Sequence, residues 1–209
     1  MAMARAEDFK TELCRLSYAQ SLYKARAQKN GALKYGCTLI FPKSALSPLE
    51  KIVAKVIVDQ WHEKGLERAK DGLIKSPFLA GDGKEARSKK TGDLHPGMSA
   101  DVFFIRPTAN ADRQPWTRWK NPNEVAPLGP GFIYSGCWGK AVLNAFAWTT
   151  DENGDGVSFG IQGFQKLQEG EPLGSSGGDD PEKWVETIED AGEAPAETKT
   201  GAGASGLFG

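Results

Sequence analysis

A long run of alternating residues, Phe132–Trp148, constrains the fold more than any other feature of the sequence. Most of its even positions hold aromatic or polar residues, and its odd positions from Ala141 onward are small or apolar. Alternate side chains of an extended strand lie on opposite faces, so this run predicts a strand with two distinct surfaces. The turn-forming residues 151–156 and a second β-rich run, Val157–Leu167, follow it. Together these segments predict a long antiparallel hairpin.

Three further segments are expected to add strands to this hairpin. Leu33–Phe41 and Ala100–Arg106 are rich in aromatic and β-branched residues, and a proline follows each of them. With Thr11–Tyr18 as a first strand, the chain is expected to be mainly β, with about five strands. A five-stranded, partly open β-barrel is the OB-fold, whose sheet face and loops bind oligonucleotides. A β-sandwich with a similar number of strands remains an alternative.

One helix and two long loops complete the predicted body. Ser47 is expected to cap the helix, Pro48 fits its first position, and Gly65 is expected to end it. The segments Lys75–Met98 and Ala109–Pro130 contain many Gly, Pro and charged residues, which indicates loops. Long loops in compact domains are often functional, so these two segments are candidate binding regions.

The charge of the chain divides near Gly170. Residues 1–170 contain 24 Lys and Arg against 18 Asp and Glu, whereas residues 171–209 contain 2 against 9. A basic body indicates a polyanionic partner. The acidic segment is rich in Gly, Ser and Pro and cannot bury enough apolar surface to order itself. We therefore expect a domain over residues 1–170 and a flexible acidic tail over residues 171–209.

Cysteine usage and hydropathy predict a reducing, cytoplasmic location. Cys14, Cys37 and Cys137 are odd in number and lack C-x-x-C spacing, so neither a disulfide framework nor a zinc site is expected. Met1–Leu13 lacks the apolar core of a secretory signal. No apolar run approaches the ~20 residues of a membrane helix, so no membrane partner is expected.

The sequence gives little support for catalysis, a metal site or a cofactor. Its two histidines, His62 and His95, do not stand in a metal-binding spacing. The turn beginning at Asp151 imitates a calcium loop, but Gln162 stands where such a loop needs a bidentate Glu. We therefore interpret the turn as a hairpin connection and expect a protein that is not an enzyme.

The strongest candidate binding segment lies in the second predicted loop. Two tryptophans alternate there with basic residues, and Asp112 is its only acid between Arg106 and Lys120. Proteins that bind single strands combine aromatic rings, on which bases stack, with cations that contact phosphates. The alternative is a loop folded over the barrel with Trp116 as a buried plug. The predicted contacts in this segment are Arg106, Arg113, Trp116, Arg118, Trp119 and Lys120.

Aromatic and basic residues elsewhere supply a second set of predicted contacts. Tyr134, Trp138 and Lys140, near the start of the predicted strand, are expected to bind nucleic acid. Val142, Phe146 and Trp148, further along the same face, are expected to fill the core. On that interpretation the alanines opposite them pack under the helix. The further candidates are Tyr35, Lys84, Lys89, Tyr134, Trp138 and Lys140.

Five segments of the chain resemble a family of bacteriophage single-stranded DNA-binding proteins that was long catalogued as a domain of unknown function. The most specific are Tyr-Ser-Gly-Cys-Trp-Gly within residues 133–139 and the pair Gln-Lys-Leu and Gly-Glu-Pro-Leu-Gly near residue 170. The resemblance extends from about Thr11 to Gly174 and implies an OB-fold with a role in DNA replication or recombination. The segments are residues 35–43, 76–83, 133–139, 160–167 and 170–174.

The tail resembles those of single-stranded DNA-binding proteins, which are acidic and end in an apolar tip. An acidic tail tethered to a basic body is expected to compete with DNA and so to modulate its binding, and the tail is also expected to recruit replication or recombination proteins. A phage protein of this kind would act in the host bacterial cytoplasm. The match is imperfect because Gly209 follows the apolar tip and residues 201–206, which are Gly-rich, precede it. The tail residues expected to bind partners are Asp179, Asp180, Glu186, Glu189, Asp190, Leu207 and Phe208.

Other functions remain open at this level. An RNA-binding OB protein would carry the same aromatic and basic residues. A phage structural or assembly protein without nucleic-acid binding is a second alternative. The sequence also leaves both a monomer and a homodimer open.

Overall fold

The chain folds mainly into β-strands, with two helices, α1 (Leu46–Trp61) and α2 (Glu63–Lys70). The structure is a computed structural model, and it describes residues 3–28, 31–125 and 132–174. The strands are β1 (Phe9–Lys10), β2 (Cys14–Ser17), β3 (Arg26–Ala27), β4 (Leu33–Gly36), β5 (Thr38–Pro42), β6 (Ile74–Lys75), β7 (Leu79–Ala80), β8 (Val102–Ile105), β9 (Thr108–Asn110), β10 (Trp116–Trp119), β11 (Asn121–Val125), β12 (Trp138–Thr150) and β13 (Gly154–Gln168).

The strands join into one open sheet. Its main path runs β3-β4-β9-β13-β12-β2-β5-β8-β7, and the described residues do not pair its first strand with its last. At its centre β12 and β13 form the predicted hairpin, with Thr150 opposite Gly154 at the turn. Strands β6 and β10 run parallel to β13, and β1 pairs antiparallel with β12. The hairpin and the β-rich class are confirmed, but this larger open sheet does not confirm a five-stranded barrel.

The core lies on the face of β12 that carries small apolar residues. Ala141, Leu143, Ala145 and Ala147 are all buried, and helix α1 packs over this strand. Small side chains allow a helix to approach a sheet closely, so the expectation that the alanines pack under the helix is confirmed. Leu49, Val53, Val56 and Ile57 are the buried residues of α1.

The expectation that Val142, Phe146 and Trp148 fill the core is wrong. These side chains are only half-buried, and they alternate with the buried alanine row. The period of two therefore places them on the opposite surface of the sheet, where α1 does not pack. Their large size had indicated burial, but the strand's alternation decides their position.

The helical region also differs from its sequence-based interpretation. Ala45, rather than Ser47, occupies the N-cap position and no side chain caps the helix, because a short 3₁₀ turn at Lys43–Ala45 leads directly into α1. Gly65 does not end this helix but lies inside α2. A Cβ at Gly65 would stand 2.8 Å from Ile57 Cγ2, so glycine allows the two helices to pack closely. Among the described helices, neither is long and apolar enough to cross a membrane.

Two other predicted segments divide differently. The strand expected over Leu33–Phe41 breaks at Cys37 into β4, which pairs with β9, and β5, which pairs with β2 and β8. The loop expected over Ala109–Pro130 contains β10 and β11 in its described part. Strand β10 forms because the edge of β13 offers it backbone partners, from Trp116 opposite Gly163 to Trp119 opposite Lys166.

Candidate nucleic-acid interface

The candidate interface is the surface of the β12–β13 hairpin that faces away from the alanine row, here named the outer face. Its β12 side chains are Trp138, Lys140, Val142, Asn144, Phe146 and Trp148, and all except Asn144 are half-buried. An extra residue in β13, Gln162, shifts the register between Val142 and Leu143. This β-bulge places Gly156, Gly160 and Gly163 on the same outer face, although the last two are three positions apart and would otherwise lie on opposite faces.

Glycines of β13 allow neighbouring side chains to lie directly on the sheet. A Cβ at Gly163 would stand 2.5 Å from Trp116 Cε3 and closer still to Cδ2 and Cε2, so the indole covers this glycine. At Gly160 a Cβ would stand 2.6 Å from Asn144 Oδ1. Side chains at these positions would displace the groups above them. The glycines therefore fix the positions of an indole and an amide on the outer face.

Trp116 forms the centre of a basic aromatic patch. Its side chain is 39% exposed, and the Arg118 guanidinium carbon lies 5.7 Å from its ring centroid. The register places Arg118 beside Gln165, which in turn lies opposite Lys140. An indole with one face on the sheet and cations around it is suited to stacking on a base while the cations contact phosphates. The alternative of a buried plug does not hold for Trp116.

Trp119 points to the other side of β10 and belongs to the packing of the body. It contacts the Phe132 ring at a centroid distance of 5.2 Å, and the Lys166 ammonium lies 4.6 Å from its ring centroid. Lys166 is only 2% exposed, and its ammonium pairs with Glu169 Oε1 at 2.7 Å and lies 4.9 Å from the Tyr134 ring centroid. Trp119 and Tyr134 therefore surround a buried lysine, and the interface prediction for them stays untested.

The same cluster holds the chain segment that follows β13. The Tyr134 hydroxyl lies 2.7 Å from Glu169 Oε2 and accepts a hydrogen bond from the Gly170 N–H. Hydrogen bonds from Lys166 and then Tyr134 lower the pKa of Glu169. Further along, the Leu173 N–H donates to the Ser135 carbonyl at 2.7 Å. Residues 169–173 are thus attached to the body by several hydrogen bonds.

A basic cleft of about 210 Å³ lies on the outer face beside Gly160. Arg5, Lys34 and Arg113 line it together with Phe146, and the Arg5 guanidinium carbon lies 5.6 Å from that phenyl centroid. Arg5 reaches the cleft because its backbone forms a β-bridge with Phe146. Three cations around a cleft of this size provide a site for the phosphates of a polyanion.

A second cavity, of about 260 Å³, adjoins the first, because Lys34 and Thr108 line both. Tyr18 and Tyr35 contribute its rings, and Arg26 and Arg106 add positive charge. Tyr18 is held at a positive φ of 56°, and its side chain is exposed. The two cavities together carry basic and aromatic groups across β4, β9, β13 and β12.

The predicted contact residues divide among these places. Trp116, Arg118 and Lys140 lie together on the outer face, and Arg113 lines the basic cleft. Arg106 and Tyr35 line the second cavity. Trp138 lies on the outer face beneath Arg15, whose guanidinium carbon is 5.8 Å from its ring. The Lys120 ammonium lies 5.0 Å from the Trp119 ring centroid.

Two predicted contacts lie on another segment of the chain, and the predicted tail contacts lie outside the described residues. Lys84 and Lys89 are exposed on the segment between β7 and β8, which is attached to Arg106 by a hydrogen bond to the Glu85 carbonyl. The tail residues Asp179, Asp180, Glu186, Glu189, Asp190, Leu207 and Phe208 lie outside the described residues.

Sequence reasoning missed the cations that the N-terminal segment and β4 supply. Arg5 and Lys34 line the basic cleft, and the Lys10 ammonium donates to Gln165 Oε1 at 3.2 Å on the outer face. Arg5 and Lys10 arrive there by pairing with β12, a long-range contact without a local sequence signal. Trp148 could have been found, because the alternation that buries Ala147 places its neighbour on the outer face.

The cysteines of the described chain are not set up as nucleophiles. Cys14, Cys37 and Cys137 are buried free thiols. Burial raises the pKa of Cys14 to about 12 and that of Cys137 to about 11. Both remain protonated at neutral pH, and a thiol is a much weaker nucleophile than a thiolate.

The chain matches known phage proteins in sequence and fold. Residues 7–193 match the family described as Enterobacter phage Enc34, ssDNA-binding protein. The fold is similar to that of the single-stranded DNA-binding protein from bacteriophage Enc34 in complex with ssDNA, with a TM-score of 0.57, 19% identity and coverage of 80% of this chain and 89% of that one. A second structure, of the single-stranded DNA-binding protein from bacteriophage Enc34, gives a TM-score of 0.54 at 18% identity and covers 88% of this chain and 100% of that one.

A more distant structural relative is the single-stranded DNA-binding protein encoded by bacteriophage T7. It gives a TM-score of 0.51 at 14% identity, with coverage of 92% of this chain and 99% of that one. No curated protein sequence matches the chain. At these identities the structural matches establish a shared fold.

Proposed function

Because the chain belongs to the family of the Enterobacter phage Enc34 single-stranded DNA-binding protein, we propose that it binds single-stranded DNA with little sequence preference. It would protect exposed strands during phage DNA replication or recombination in the host cytoplasm. The observation that carries this proposal is the position of Trp116, an exposed indole that lies on Gly163 with Arg118 beside it. The fixed ring is available for stacking without further ordering.

The composition of the outer face supports binding without sequence preference. Every base has a π-face, so an indole stacks on any of them, and the cations contact a backbone that is the same for all sequences. Arg5, Lys34, Arg113 and Arg118 all lie on or beside this face. Paired bases in a duplex are already stacked and present no free π-face, which favours single strands over double strands.

The fold and the tail enter the proposal as well. We propose that the open sheet acts as the partly open barrel of an OB-fold, because the basic aromatic surface lies on its face as in oligonucleotide-binding barrels. The acidic residues 175–209 are proposed to lower DNA affinity and to recruit replication or recombination proteins. No catalytic role is proposed, since the described cysteines are protonated and the family binds DNA.

The experiment is a titration of a fluorescein-labelled oligo-dT followed by anisotropy, which does not depend on tryptophan emission. Trp116→Ala is expected to weaken binding by about 1–3 kcal/mol, or about 5- to 150-fold. Trp116→Phe is the matched variant: it keeps a π-face and should retain most of the affinity. Unchanged binding by a folded Trp116→Ala protein would refute the proposed role of this ring. Equal affinity for oligo-rU would extend the proposal to RNA.

A further inference from the structure

A second indole, Trp148, occupies an equivalent position at the other end of the outer face. A Cβ at Gly156 would stand 2.5 Å from Trp148 Cε2 and closer still to Cζ2, so this ring also covers a glycine of β13. Its Nε1–H donates to Ser158 Oγ at 2.9 Å, which fixes the orientation of the indole. The Lys75 ammonium lies 5.9 Å from its ring centroid. The outer face thus repeats the arrangement of an indole on a glycine beside a cation.

One cation, Lys75, accompanies the Trp148 ring, and the acid nearest to it in the register is already paired. Asp155, the nearest acid in the register, is paired with Arg68 and accepts a hydrogen bond from Thr149. These hydrogen bonds lower the pKa of Asp155, and Arg68 offsets its charge. Lys75 is exposed and has no such partner among its described contacts.

The basic cleft lies between the two indoles. Gly163 and Gly156, which carry the rings, pair with Val142 and Trp148 of β12, and Gly160 beside the cleft pairs with Asn144 between them. Trp148 lies six positions after Val142 in β12, which corresponds to about 20 Å at a rise of ~3.3 Å per residue. One strand of duplex DNA advances ~3.4 Å per nucleotide, and at that spacing the distance corresponds to about six nucleotides.

From this arrangement we propose that Trp148 and Lys75 form a second stacking platform for the same DNA strand. The strand would run along the glycine positions of β13, from Trp116 across the cleft of Arg5, Lys34 and Arg113 to Trp148. Its phosphates would contact the cleft, and bases at its two ends would stack on the two indoles. This inference rests on the proposed function, and it adds the path of the strand over the sheet and a minimum length for full binding.

The test compares a short and a long oligonucleotide, dT4 and dT12, on the full chain by anisotropy. Trp148→Ala is expected to weaken dT12 binding by about 5- to 150-fold, the effect of losing one stacked base. It should weaken dT4 binding no more than about twofold, because a short strand still binds at the Trp116 end. Trp148→Phe should restore most of the dT12 affinity.

Two further variants keep the test decisive. Leu73→Ala removes an exposed apolar side chain, 61% exposed, two residues from Lys75, and should leave both affinities unchanged. Lys75→Glu leaves the indole in place and should weaken dT12 but not dT4, which supplies an answer if Trp148→Ala fails to fold.

Unchanged dT12 affinity in both Trp148→Ala and Lys75→Glu overturns the second platform. Equal weakening of dT4 and dT12 also overturns it, because it indicates a single site rather than two separated ones. These results leave the proposed function intact as long as Trp116→Ala weakens dT4 and dT12. If Trp116→Ala leaves the affinities for dT4 and dT12 unchanged, the proposed function itself is contradicted.

Discussion

The variant Gly163→Ala tests whether DNA binding depends on the position of the Trp116 indole or only on its presence. A Cβ at residue 163 would stand 2.5 Å from Trp116 Cε3 and closer to two other ring atoms, whereas carbon atoms in contact lie about 3.5–4.0 Å apart. The ring must therefore move outward by at least about 1 Å or leave the sheet. The backbone itself tolerates alanine, since Gly163 is not among the described glycines with positive φ.

The expected loss of affinity follows from the fixed position of the ring. Immobilising a mobile side chain on binding costs about 0.5–1.5 kcal/mol. The native protein avoids this cost, because Gly163 lets the indole lie in a fixed position before DNA binds. Gly163→Ala should therefore raise the Kd for oligo-dT by about 2- to 13-fold. This loss is smaller than that expected for Trp116→Ala, because the displaced indole still stacks once it is ordered by DNA.

A double-mutant cycle by anisotropy checks the cause. Because Gly163 acts through the indole, Gly163→Ala should have no further effect in a Trp116→Ala background. The unbound variant should also show tryptophan emission at longer wavelength, since the ring becomes more exposed. An equal loss of affinity in both backgrounds would refute the reasoning, because the methyl group would then act on the sheet rather than on the ring.

Three other changes test separate parts of the structure. Arg118→Gln should flatten the slope of log K against log salt by about 0.7, the contribution of one phosphate contact with a single strand, and an unchanged slope would remove this residue from the interface. Trp119→Ala should lower the midpoint of thermal unfolding measured by calorimetry, since the ring packs on Phe132 and Lys166. An unchanged midpoint together with weaker DNA binding would place Trp119 in the interface instead. Deleting residues 175–209, which contain 8 acidic and 2 basic residues, should tighten oligo-dT binding most at low salt, and equal affinities at low ionic strength would contradict a modulating role.

The central hairpin could be predicted because its signals are local. Alternation over Trp138–Trp148 and the turn at residues 151–156 define two strands and their shared face without knowledge of the rest of the chain. Misassignment of Trp148 and Phe146 to the core arose from their size. The buried row of alanines on the alternate positions shows that the core accepts only small side chains on this strand.

The position of β10 could not be predicted because it depends on a distant partner. Trp116–Trp119 follows a proline and contains only four residues, so it has no local strand pattern. It becomes a strand by pairing in parallel with β13, and the absence of a side chain at Gly163 allows Trp116 to lie there. The same holds for Arg5, whose place in the cleft depends on a bridge to Phe146 far along the chain.

The measurement that tests the account most directly is a comparison of oligo-dT with duplex DNA of the same length, at several salt concentrations. The account predicts that oligo-dT quenches tryptophan fluorescence, that its affinity falls linearly with salt on logarithmic axes, and that the duplex binds much more weakly. Equal affinity for the duplex would contradict stacking of bases on the indoles of the outer face. An absence of salt-dependent binding to either DNA would contradict the proposed function as a whole.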